Sequence, residues 1–236
     1  MSSFKYEGSE LELFSNASHW KSYWLKELQP YCGSNILDVG AGIGATARTF
    51  RNHKCERWLA LEPDESLASH IKQAVQAGEF QQNFKVQVGS SKDLDHNELF
   101  DTILYIDVLE HIADHKEELT RVAKHLLPGG RIIILSPAHQ WLFTPFDQAV
   151  GHVRRYNRAS LLSAKPDHLK IERIFYLDSI GMMASLGNRL VLRSAMPNLA
   201  QIKIWDNWMV PASRVVDRLT FNQIGKSIVG VFQLPV

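Results

Sequence analysis

Residues 36–44, ILDVGAGIG, constrain the architecture more tightly than any other stretch of the chain. A short apolar run leads directly into glycines at every second position, and the residues that follow suit a helix. Glycine is required in such a turn because a Cβ would block a ligand lying across the backbone, and because the turn calls for positive φ. The first amides of the helix would then face that ligand. Gly40, Gly42 and Ala45 also fit the dinucleotide fingerprint, and a tight strand–helix turn without any ligand uses the same residues.

Strand and helix signals alternate around this turn. Strands are predicted over 35–39, 57–62, 84–88, 101–106 and 131–136, with helices over 43–52, 64–77 and 114–127 between them. Pro63 opens the second of these helices, and Pro128-Gly129-Gly130 closes the third. The alternation predicts an α/β fold, a doubly wound and mostly parallel sheet with right-handed crossovers. Upstream, residues 17–31 read as an amphipathic helix carrying Trp20, Tyr23 and Trp24, and residues 1–34 are expected to form a helical lid. After Pro137 the rhythm breaks. Two more strands are expected over 169–177 and 227–234, giving a core domain of residues 35–178 and 225–236. Residues 137–160, rich in aromatics, His and Arg, and the helical stretch 179–224 are read as insertions that cap the strand ends.

Composition narrows the function classes. Hydrophobic residues make up 45% and charged residues 22%, as in a soluble globule, and the net charge of +1 argues against a protein that wraps nucleic acid. The even total hides an asymmetry. Residues 1–150 carry 14 Lys+Arg against 20 Asp+Glu, while residues 151–236 carry 12 against 5. A basic C-terminal third serves an anionic substrate, a membrane surface or solubility alone. Two cysteines, Cys32 and Cys55, no apolar leader and no bilayer-length stretch make a cytoplasmic protein the expectation.

Two carboxylates select the ligand. Asp38, two residues before the first glycine, would repel a pyrophosphate but can hold an ammonium group. Glu62, at the end of the second strand in LALEPDES, is placed to accept hydrogen bonds from both ribose hydroxyls. Together they describe a nucleoside with a zwitterionic amino-acid tail, S-adenosylmethionine. The runs ILDVGAGIGATA, LALEPDES, FDTILYIDVLEHI and LLPGGRIIILSP resemble, in order and spacing, the class I S-adenosylmethionine-dependent methyltransferases. The resemblance implies a seven-stranded sheet whose last strand is antiparallel. It also implies Asp38, Gly40 and Gly42 along the methionine part of the cofactor, Glu62 on the ribose, and Asp107 and Val108 near the transferred methyl. Ser90 stands where many members carry Asp, so adenine would rest on Ser90, Ser91 or backbone groups.

The segment GHVRRY is similar to a bacterial subgroup that tailors small molecules and lipids. His111, His139 and His152 are candidate proton acceptors, with His111 and His152 the chosen pair for catalysis. Arg154 and Arg155 with Tyr156 read either as a clamp on an acidic acceptor or as an ion pair with Asp147 and packing. Asp107, Glu110 and His111 form a D-x-x-E-H cluster of possible metal donors, but no metal is expected. The expected activity is O-methylation of a small or lipid-like, anionic acceptor. The alternatives are C- or O-methylation of a quinone-type ring and, outside catalysis, a cofactor-binding regulatory module without turnover. The apolar cap leaves three roles open, namely an acceptor pocket, peripheral membrane contact and a homodimer face.

Overall fold

The computed structural model describes residues 10–187 and 198–236. Seven strands form one sheet: β1 (Asn35–Val39), β2 (Arg57–Glu62), β3 (Phe84–Val88), β4 (Phe100–Ile106), β5 (Leu126–Pro137), β6 (Lys170–Leu177) and β7 (Ser227–Gln233). Their order is β3-β2-β1-β4-β5-β7-β6. β1 to β5 run parallel, and β7 lies antiparallel between β5 and β6. The order reverses between β1 and β4, and a sheet of this kind opens a crevice for ligands beyond the strand ends at that reversal.

Successive residues of each strand point to opposite faces, and both faces are buried. Leu37, Ile103, Tyr105, Ile132 and Ile134 pack on one side with α5 (His115–Val122) and α7 (Arg158–Ala164). Ile36, Leu104, Ile133 and Leu135 pack on the other with α2 (Ser18–Leu28), α3 (Ala45–Thr49) and α4 (Glu65–Gln76). α1 (Glu10–Ser15) precedes α2, and α6 (Pro145–Ala149) lies between β5 and α7.

Two expected boundaries move. The helix over 43–52 is only the five residues of α3, because Gly42 and Gly44 hold left-handed φ of 57° and 80° and keep the turn open to residue 44. The helix over 114–127 ends at Val122, and Pro128-Gly129-Gly130 lies inside β5 rather than before it. Leu126 pairs with Phe100 and Arg131 with Thr102, so the Pro-Gly-Gly is a bulge in the ladder, with Gly129 at φ 78°.

The cap is α8 (Ser179–Gly187), α9 (Leu199–Ile204) and α10 (Val210–Leu219), with one π-helical turn, Trp205–Met209, joining the last two. Three buried aspartates tie it down. Asp206 accepts from the amides of His19 and Trp20 at 3.0 and 2.8 Å, so it caps α2, whose own N-cap residue, Ala17, has no side chain to do so. Asp217 accepts from the Tyr23 hydroxyl at 2.8 Å and from the amides of Asp178 and Ser179. Asp178 accepts from the Ser213 hydroxyl, the Gly181 amide and the Trp205 indole. Trp20, Tyr23 and Trp24 are buried between these elements and the sheet, and Trp20 and Trp24 also line the cavity described next.

Candidate active site

A cavity of about 240 Å³ opens at the C-terminal ends of β1, β4 and β5, where the sheet order reverses. The glycine turn forms its floor. Gly40 sits at φ 67°, and a Cβ there would meet the Val108 methyls at 2.8 Å. A Cβ on Gly42 would come within 3.7 and 3.8 Å of the Leu11 methyls of α1, so α1 roofs the turn.

Beneath the turn lies Asp38, almost fully buried, with Oδ2 lacking any hydrogen-bond partner. Burial first and the nearby Glu62 second raise its carboxyl to about 8, against a smaller opposing pull from the Trp58 indole. Glu62 accepts the Gly42 amide at 2.7 Å and the Asp64 amide at 2.9 Å, one on each oxygen. A carboxylate has room for further donors on both oxygens. Burial also lifts Glu62, against the pull of those two amides. An orphaned buried carboxylate, a positive-φ glycine cradle and a half-satisfied acid at the next strand fit a ligand with an ammonium group and a diol. Asp38 and Glu62 would hold it there.

Ser90 and Ser91, expected beside adenine, are both engaged within the protein. The Ser90 hydroxyl donates to Asp93 at 2.9 Å and caps the turn that follows. Ser91 is buried, with its hydroxyl donating to Glu118 in a network with Tyr105 and Arg121.

The other wall of the cavity is a cluster of acids and imidazoles. Asp107, in left-handed backbone at φ 54°, faces in from the end of β4 and is exposed at the cavity; the partial loss of water around it there raises its carboxyl to about 6, with His152 and Lys226 pulling it down. Glu110 is fully buried, and burial and then Asp107 push it well above the carboxylate range. Its Oε2 accepts from the Ser136 hydroxyl, and its Oε1 has no partner.

His152 Nδ1 lies 2.9 Å from Asp147 Oδ1, and its Nε2 lies 3.9 Å from Glu110 Oε1. With the proton on Nδ1, His152 donates to Asp147 and sets Nε2 beside Glu110 in the cavity wall. Burial raises the Asp147 carboxyl, but hydrogen bonds from His152, Arg155 and the Thr144 amide outweigh that and hold it far below the usual range. His111 meets His152 edge to face at 4.7 Å, and burial followed by that neighbour lowers its imidazole to about 4. Glu110, His111 and His152 each offer a donor atom within 4.8 Å of one another, a spacing a metal ion accepts.

The GHVRRY residues therefore divide. His152 and Arg155 line the cavity, but Arg155 spends Nε and Nη2 on Asp147 at 2.8 and 2.9 Å, which is the ion-pair alternative. Its Nη1 is buried without a partner. The structure corrects the clamp at two positions. Arg154 donates to the carbonyls of Ile112 and Ala113 and braces the loop after β4. Tyr156 is fully buried, donating to the Leu109 carbonyl and bonded to His115. His139 is likewise a packing residue, stacked on Tyr176 at 5.0 Å.

Two cavity residues, and one buried behind the cavity wall, escaped the sequence reading in the roles they hold. Asp147 orients His152; its T-P-F-D capping box was visible, but not the direction of the carboxylate. Lys226, at the entrance to β7, holds its ammonium 4.8 Å over the Trp205 ring and makes no side-chain hydrogen bond among the described residues. Trp205 itself reaches the cavity from the π-helical turn, and no local pattern marked either residue.

The chain is similar to known proteins. The profile of a family described as methyltransferase domain matches residues 16–180. Ubiquinone biosynthesis O-methyltransferase of Bradyrhizobium sp. (strain ORS 278) is 26% identical over 49% of the chain and 45% of its own length. Demethylmenaquinone methyltransferase of Tropheryma whipplei (strain Twist) is 27% identical over 68% of the chain and 66% of its own length. The chain thus spans between about a third and two thirds of the length of the curated relatives it matches. Coclaurine N-methyltransferase, solved with N-methylheliamine and S-adenosylhomocysteine, superposes with a TM-score of 0.61 at 17% identity, over 98% of this chain and 76% of that one. With the family profile covering most of the sheet and the glycine turn, the chain belongs to the methyltransferase-domain family of class I, S-adenosylmethionine-dependent proteins.

Proposed function

We propose that this chain transfers the methyl group of S-adenosylmethionine to an oxygen of a small or lipid-like acceptor, anionic or quinol-type, with His152 as proton acceptor. The bound cofactor supplies an electrophilic methyl on a sulfonium, so the protein needs no covalent chemistry of its own. What it must do is align the acceptor, exclude water and remove the hydroxyl proton. The observation that carries the reading is the Asp147–His152 pair. Asp147 fixes the ring and leaves Nε2 beside Glu110 in the cavity wall, where an acceptor hydroxyl can give up its proton as its oxygen takes the methyl. Lys226 and the unpartnered Nη1 of Arg155 support an acceptor with an acidic or phenolate end.

The names of the two curated relatives support a ring acceptor, and the Tropheryma protein keeps the quinone-ring reading in play. Turnover of a panel of anionic phenols and hydroquinones, read as radiolabelled methyl transfer, tests both. The His152→Ala variant is expected to lose about 10²–10⁴-fold in kcat while its affinity for S-adenosylhomocysteine stays unchanged. Full turnover in that variant would remove His152 as the base. Cofactor binding with no turnover on any acceptor would favour a regulatory module, and loss of rate on chelation would reassign Glu110, His111 and His152 to a metal.

A further inference from the structure

The α9–α10 segment wears its polarity inside out. Its buried face carries Ile202, Asp206, Val210, Ser213 and Asp217, at spacings of four, four, three and four. Three of those five are polar, and all three are hydrogen-bonded to α2, to Asp178 or to the start of α8. Two positions along, at the same spacings, run Ile204, Trp208, Ala212, Val215 and Leu219, all exposed. A shift of two residues is about 200° around a helix, so this second row looks directly away from the protein. Trp208 is 76% exposed, Val215 61% and Leu219 73%. A helix on a soluble protein turns its apolar stripe to the core, and this one turns it to solvent.

The end of α10 extends the row. Phe221 is 82% exposed and held at φ 53°, a left-handed conformation that a bulky side chain rarely adopts. Backbone strain there displays an aromatic ring in water, a poor outcome unless something covers it.

Charge selects what covers it. From residue 198 to 224 the only acids are Asp206 and Asp217, and both are buried in the bonds described above. Lys203 and Arg218 are exposed, so every exposed charge on the segment is cationic. An apolar row with Trp and Phe, flanked by Lys and Arg and free of exposed carboxylates, is the composition of an interfacial helix. No helix among the described residues is long and apolar enough to cross a membrane.

We infer that the outer face of α9–α10, with Phe221, docks on an anionic lipid surface. Trp205, adjoining Ile204, lines the cavity, so docking places the acceptor site about one helix diameter, roughly 10 Å, from lipid. The inference rests on the surface alone and stands whether or not the acceptor is an oxygen.

Flotation of the full chain, loaded with S-adenosylhomocysteine, with vesicles of phosphatidylcholine alone or mixed with phosphatidylglycerol tests it. The chain is expected to rise with the anionic vesicles only, and less so in high salt. Trp208→Glu with Phe221→Glu, both on the outer surface, is expected to cut the bound fraction on the order of tenfold or more at unchanged S-adenosylhomocysteine affinity. Lys203→Glu with Arg218→Glu is expected to do the same. A chain that stays unbound with both vesicles, binds both equally, or survives the aromatic double variant overturns the proposal. So does a dimer in sedimentation that the aromatic variant splits, which would make the face a contact between copies.

Discussion

Buried carboxylates fall into two groups in this molecule. In the cap, Asp178, Asp206 and Asp217 each collect two or three donors from backbone amides, hydroxyls or an indole. Beneath the glycine turn and in the cavity wall, Asp38 and Glu110 each keep an oxygen with no hydrogen-bond partner, and burial raises both. A satisfied buried acid holds the fold together, whereas an unsatisfied one costs stability until something arrives to pair with it. Satisfaction, rather than burial, separates brace from binding site.

That contrast breaks most visibly in the cap. Asp217→Ala strands the Tyr23 hydroxyl and two amides, and is expected to cost about 4 kcal/mol, read as a lower midpoint in urea. The next largest effect concerns His111, whose folded value of about 4 lies below the 6.5 of a solvent-exposed imidazole in the unfolded chain. The unfolded state binds the extra proton between those values, so stability is present above 6.5 and lost as pH falls toward 4, by up to about 3 kcal/mol. His111→Gln should flatten that slope in urea titrations across the same window.

Asp38→Asn should act with the opposite sign to Asp217→Ala. Removing an orphaned carboxylate is expected to stabilise the cofactor-free protein at neutral pH by about 2 kcal/mol while weakening S-adenosylhomocysteine about tenfold. Calorimetry and thermal melts with and without the ligand check both halves. If Asp38→Asn destabilises and leaves affinity intact, the two groups of acids are not distinct. The smallest effect is on the pH profile. Asp107 is raised to about 6, so turnover should fall as pH drops through 6, and Asp107→Asn should remove that acid limb.

The sheet was largely legible because β1, β2 and β5 are apolar runs bounded by turn residues, and burial on both faces leaves such runs little choice. The Pro-Gly-Gly before Arg131 misled because the same residues that stop a helix also make a bulge. The positive-φ geometry of the glycine turn was readable since it lies in local spacing. Arg154 and Tyr156 were not, because adjacent residues on an extended segment face opposite ways, and only the fold decides which of them meets the cavity. Lys226 and Trp205 reach the site through the antiparallel seating of β7 and through a π-helical turn, both long-range results. The expected cap over 179–224 includes residues 188–197, which lie outside the described residues.

The first turn of α2 leaves its amides to an aspartate 186 residues further along the chain. On the ribosome that interval is roughly ten to forty seconds of synthesis. Until Asp206 emerges, the nascent chain carries the glycine turn and the first strands without a secured helix above them. A truncated product, or one cleaved before the cap, would hold the nucleoside floor without its anchored roof. Completion of the cofactor pocket is thereby coupled to completion of translation.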